Sequence, residues 1–152
     1  MNSGFKLKGT VIIETRKKDG IVIEREELDN LLVDSGLERV VKLLSGVSAV
    51  DFTHIAIGTG TTAAANDDTA LETEIVRAEA DDGGSYEADY KAVWEKTFSF
   101  GSGESYSITE AGVSDSATVS GSVLLDRFVF AAKEVDADVD LYIKITVTAS
   151  RS

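Results

Sequence analysis

Three observations predict a mainly β fold for this chain: an antiparallel β-sandwich of jelly-roll type, with an N-terminal hairpin and two short helices. Runs of β-branched residues end at glycines, segments 90–100 and 139–149 alternate with period two, and two Ser/Thr-x-x-Glu boxes precede short apolar stripes. The 152 residues, with no cysteine and no proline, fit one domain whose turns rely on Gly, Asn, Asp or Ser. We expect a single domain over 1–152, with the hairpin and a helix in 1–47 and the sandwich core in 50–152.

Lys18-Asp19-Gly20 lies between two β-branched runs, the strongest short-range hairpin signal, and places strands at about 6–17 and 21–27. Ser35-Gly36-Leu37-Glu38 reads as a capping box that starts a helix. Its apolar stripe is Leu37, Val40, Val41 and Leu44, at i, i+3, i+4 and i+7, and Gly46 suits a left-handed stop. Such a stripe belongs on a sheet or at a subunit contact. Residues 52–57 form a strand candidate that ends at Gly58-Thr59-Gly60. Thr69-Ala70-Leu71-Glu72 is a second box, with Asp67 and Asp68 beside it, and predicts a two-turn helix ending near Arg77.

Downstream, Asp81 to Ser85 reads as a loop. Tyr90, Ala92, Trp94, Phe98 and Phe100 then share one face of a half-buried strand. Tyr106-Ser107-Ile108 leads into Thr109-Glu110-Ala111-Gly112, after which a polar stretch runs to Gly121. Residues 123–132 are apolar on both faces apart from Asp126 and Arg127, which predicts cover on both sides. Residues 139–149 close the chain as a cleanly alternating strand.

Charge and composition exclude several functions. With 27 acidic against 15 basic side chains the formal charge is −12, which repels phosphate backbones, so no nucleic acid is expected as a partner. No apolar run nears the ~20 residues of a membrane span, and residues 1–9 carry no leader pattern; a soluble, unexported chain is expected. The absence of cysteine removes thiolate chemistry, and His54 is the single histidine. We therefore expect no metal, no cofactor and no catalytic residue.

The motifs agree. Gly58-Thr59-Gly60 lacks the Gly-Lys-Ser/Thr of a phosphate loop and the third glycine of a dinucleotide fold. Asp81-Asp82-Gly83 and the Asp136, Asp138, Asp140 series lack the frame of a calcium loop and read as solvated turns, the latter along one strand edge. His54 has no nucleophile elbow near it in sequence. Glu110 follows an apolar strand and, buried, would need cationic or backbone N–H partners; Arg77 or Arg127 is the expected anchor.

The order of features, Asn30 to Leu37 before a helix, His54 to Gly60, Asp68-Thr69-Ala70-Leu71 with Glu74 and Arg77, Ile108 to Gly112, and Leu124 to Phe130, resembles small virion structural proteins of tailed bacteriophages and archaeal tailed viruses, often labelled tail or tail-fibre proteins. The likeness runs from about Gly20 to Ala149. It implies a non-enzymatic virion subunit in the tail, fibre or baseplate or on the head, made in the host cytoplasm. As partners it implies other virion proteins and further copies of the chain in a homo-oligomer, with a trimer as the expected form. Assembly would use Leu37, Val41 and Leu44 on the helix and the loops around Gly58, Gly60 and Gly112, with Glu110, Arg77 and Arg127 as structural anchors. The alternatives are a capsid decoration protein, or a receptor-binding or glycan-binding sandwich in which Tyr86, Tyr90 and Trp94 stack on sugar rings.

Overall fold

A computed structural model describes residues 4–48 and 50–151. It is mainly β, and its strands form one nine-stranded antiparallel sheet. Strands β1 (Phe5–Lys17) and β2 (Val22–Leu32) make the N-terminal hairpin, whose turn closes on Gly20 at φ 91°. One α-helix, α1 (Asp34–Leu44), follows. The remaining strands are β3 (His54–Gly58), β4 (Glu74–Glu79), β5 (Ser85–Glu87), β6 (Lys91–Phe98), β7 (Ser105–Ser114), β8 (Asp126–Asp136) and β9 (Val139–Arg151). Their order across the sheet is β4-β3-β7-β8-β2-β1-β9-β6-β5, and β8 also meets β9 at their hairpin.

Alternation buries one face of each long strand. Val11 and Ile13 of β1, Ile143 and Ile145 of β9 and Trp94 of β6 share one core with Ile55 and Ile57 of β3, Val113 of β7 and Phe128 of β8. Strands β3 and β6 lie towards opposite ends of the order, yet they touch. The sheet is therefore bent over a common core, which hides from water the apolar face that a flat sheet would expose.

The expected second helix is absent: residues 69–73 are irregular, and β4 begins at Glu74. Tertiary bonding overrides the local box, because Glu72 turns its carboxylate to the Thr61 and Thr62 N–H groups and not back to Thr69. The first box also fails as a cap. Helix α1 begins two residues earlier, with Val33 at the N-cap position, and the Ser35 hydroxyl donates to Leu124 O instead. Its end is as the glycine suggests. Gly46 sits at φ 74°, with Gly46 N–H donating to Leu43 O and Val47 N–H to Lys42 O, the paired bonds of a Schellman stop. The Asp136, Asp138, Asp140 series straddles the two-residue β8–β9 turn and does not line one strand edge.

The bend has a narrow seam. Among the described residues β2 pairs with β8 at two positions, Leu31 with Arg127 and Leu32 with Asp126. Further along, the strands part, and Lys133 Nζ of β8 reaches Glu26 (2.7 Å) and Glu24 (3.5 Å) of β2. At the seam Asp126 is fully buried; its Oδ1 accepts the Val113 N–H (2.8 Å) and its Oδ2 accepts the Asn30 amide. The Asn30 Oδ1 is buried without a partner. Burial pushes the Asp126 carboxyl up to about 7, against the opposing pull of the Val113 N–H.

Because this acid pKa is raised, the folded chain keeps a proton that the unfolded chain has released between about pH 4 and about pH 7. Stability contributed by this site is thus highest below pH 4, falls on the order of 4 kcal/mol as pH rises through that window, and is level above it. Asp126→Asn should remove that slope in urea unfolding measured from pH 4 to pH 8. Identical pH profiles for the two proteins would contradict the assignment.

Candidate functional site

Glu110 lies on β7, opposite Gly58 of β3, and none of its surface is exposed. Its Oε2 accepts the Gly60 and Thr73 N–H groups (2.7 Å each), and its Oε1 accepts the Glu72 N–H (2.8 Å) and Arg127 Nε (3.1 Å). A carboxylate has about four lone-pair sites, so four donors fill it. No acceptor is left for a substrate proton.

Arg127, the neighbour of Asp126 on β8, carries the knot outward. Its Nη1 donates to Asp68 (2.9 Å) and its Nη2 to Thr62 O (2.9 Å). Burial acts to lower the Arg127 pKa, but the hydrogen bonds and charges of Asp68 and Glu110 outweigh it and raise the pKa. Thr109 adds a hydroxyl bond to Gly60 O (2.7 Å). The 59–73 loop is thereby held against β7 and β8 at both ends.

The three glycines singled out in the sequence serve close approach. A Cβ on Gly58 would overlap Thr73 O, one on Gly60 would overlap Glu110 Oε2, and one on Gly112 would overlap Asp126 O. None of the three lies in the left-handed region, so it is the missing side chain that matters, not freedom of φ. All three are buried and shape their loops from within, while Thr61, Thr62 and Ala63 of the first loop are exposed. Arg77 takes no part in the Glu110 knot. It is bidentate to Glu74 (2.7 Å each) and its Nη1 donates to Ser114 Oγ, Ser116 O and Thr118 O, so it fastens the polar stretch after β7. His54 meets Thr53 Oγ1 (2.8 Å) and sits in the β3 ladder between Glu79 and Ser114. Asp126 is buried and Asn30 and Asp68 are part-buried, while Glu72 lies on the exposed side of the loop; the pairing of Asn30 with Asp126 is the one that no local spacing announces.

Helix α1 has two apolar sides. Gly36, Val40 and Leu43 turn inward, and Gly36 lies so close to the Leu125 backbone that a Cβ would overlap it. Leu37, Val41 and Leu44 turn to solvent, at 41%, 63% and 74% exposure. The expected single stripe is thus split between Val40, which packs on the core, and this outer row. Beside the helix runs an apolar groove of about 500 Å³, walled by Val40 and Leu43, with Trp94 and Val147 within it and Tyr86 and Tyr90 at its side. The Trp94 indole N–H is already used by Phe52 O (2.9 Å). Tyr90 leaves the face shared by Trp94 and Phe98: with Asp89 it adopts φ 69°, and it is 73% exposed. Holding a non-glycine residue there costs about 1–3 kcal/mol.

Among the described residues no His, Asp and Glu cluster is arranged to hold a metal ion, and no helix is long and apolar enough to cross a membrane. Glu110→Gln places an amide NH₂ against backbone donors and leaves Arg127 without its buried charge partner. It should cost about 3–5 kcal/mol in urea unfolding, whereas Glu72→Gln, on the exposed side of the loop, should leave the unfolding midpoint close to that of the parent. Near-equal stability of Glu110→Gln and the parent would contradict this role. Comparison with protein-family models, with curated proteins and with solved structures finds no match for the chain.

Proposed function

We propose that this chain is a non-enzymatic structural subunit of a tailed-virus particle, working as a homo-oligomer in the tail, fibre or baseplate or on the head. The observation that carries the proposal is the outer row of α1: Leu37, Val41 and Leu44 face solvent on a helix that already buries its other side. An apolar row of this kind is left open when something else covers it. The interior supports a building role, because Glu110, Arg127 and Arg77 spend their polar atoms on holding loops in place. In this reading the bent sheet acts as a two-layer β-sandwich of jelly-roll type, a rigid body that presents α1 to a neighbour. The virion setting rests on the resemblance of the ordered motifs to tail-type proteins, and capsid decoration is the same reading at another place on the particle.

Tyr86 and Tyr90, exposed beside the groove, favour one second reading, a module that stacks sugar rings. Trp94 contributes little to it, being buried with its N–H already bonded.

Sedimentation of the purified protein over a wide concentration range should give masses at multiples of 16.2 kDa, and an antibody against the chain should label tailed particles. A strictly 16.2 kDa species that binds no particle would overturn the proposal. Glycan binding lost in Tyr90→Ala, with the fold intact, would establish the second reading instead.

A further inference from the structure

Among the open surfaces of this molecule, charge separates the unpaired stretch of β2 from helix α1. Where β2 parts from β8 it carries Glu24, Glu26, Glu27 and Asp29 with Arg25, and the single Lys133 of β8 is already shared between Glu24 and Glu26. Two such edges brought together would set carboxylate against carboxylate in a chain that already bears −12. Helix α1 balances Asp34 and Glu38 with Arg39 and Lys42, so it is a neutral strip on an acidic molecule. Self-contact meets the least repulsion there.

Shape and area point the same way. The outer row of α1 is an apolar ridge, and the groove runs directly beside it, with Val40 and Leu43 of the same helix as one wall. Ridge and groove therefore share a face, as a self-complementary two-fold contact requires. Whole aromatic side chains cover about 150–250 Å² and aliphatic ones less. On that scale Leu37, Val41, Leu44, Tyr86 and Tyr90, as exposed as they are, present on the order of 600 Å² of residue surface, the tyrosine hydroxyls included. The largest apolar patch on a typical monomer is about 300–600 Å², and each partner in a standard interface contributes ~800 Å². The rim also suits a pair, since Asp51 and Lys91 flank the groove and the Lys42–Glu38 ion pair flanks the ridge.

We propose that the groove receives the α1 ridge of a second copy, Leu37, Val41 and Leu44 of each protomer seating beside Tyr86 and Tyr90 of the other in a reciprocal dimer. This rests on the self-assembly proposed above and adds its geometry and its smallest unit. The left-handed Tyr90 then has a use, because its backbone turns the ring out towards the incoming helix.

The chain has no cysteine, so single-cysteine variants give a clean test. Val41→Cys and a size-tagged Tyr86→Cys are mixed and treated with a short bifunctional maleimide, with Gly103→Cys as a remote control. The hetero-cross-link should exceed the Val41→Cys homo-cross-link at least ~10-fold. Val41→Glu on the ridge and Ala92→Trp in the groove should each weaken association at least ~100-fold, with the melting temperature of Val41→Glu unchanged to show that it folds. If the protein associates but neither variant weakens it and the hetero-cross-link stays at the control level, the ridge-in-groove contact is overturned while self-assembly stands. If the parent stays monomeric, both fall, whether or not the groove takes up a sugar.

Discussion

Glu110 turns a loop of fifteen residues, 59–73, into part of a sheet. Its carboxylate faces three backbone N–H groups and one guanidinium nitrogen from the buried side of β7. Those N–H groups belong to residues outside the strand ladders, and the buried one, of Gly60, would cost about 1–3 kcal/mol with no acceptor. The acid needs them equally, because a buried carboxylate is tolerated only when paired and hydrogen-bonded. Arg127 then passes the restraint to Asp68 and Thr62, and the absence of side chains at Gly58 and Gly60 leaves room for the assembly to close.

The second polar joint, Asp126 with Asn30, lies next in sequence to Arg127 but works differently. It has no cation. Arg127 is taken by Glu110 and Asp68, Arg39 of α1 by Asp115, and Lys8 of β1 lies near the exposed Asp29. One strand, β8, thus places a charged knot on one side of its backbone and a buried carboxyl–amide pair on the other. The first holds a loop down and the second marks where the bent sheet joins its two halves.

Much of the architecture was legible in the residues. The Asp19-Gly20 hairpin, the Gly46 stop and the β9 alternation each depend on local conformation or period, which neighbours in sequence determine. Glu110 could be narrowed to two arginines, because a buried acid demands a cation, but not to one, since the choice depends on whether β4 or β8 lies within reach. The missing helix at 69–77 shows the limit. Thr69 and Glu72 form a sound local box, yet Glu72 finds backbone donors at Thr61 and Thr62 and its own N–H is claimed by Glu110. Asn30 and Asp126, 96 positions apart, carried no signal, as a pairing set by the seam leaves no spacing to read. The helix stripe was visible as apolar, but its division into Val40 inward and Val41 outward follows from the close packing of Gly36 on Leu125.

The account stands on the carboxylate of Glu110 acting as a permanent backbone acceptor. Amide hydrogen exchange followed by NMR tests this most directly. The Gly60, Glu72 and Thr73 N–H groups, although in a loop, should exchange as slowly as those of the β1–β9 ladder, through global unfolding, while exposed Ala63 nearby exchanges fast. Exchange of all three at the rate of Ala63 would mean that the bonds are not kept in solution and that the loop, and the role given to Glu110, must be drawn differently.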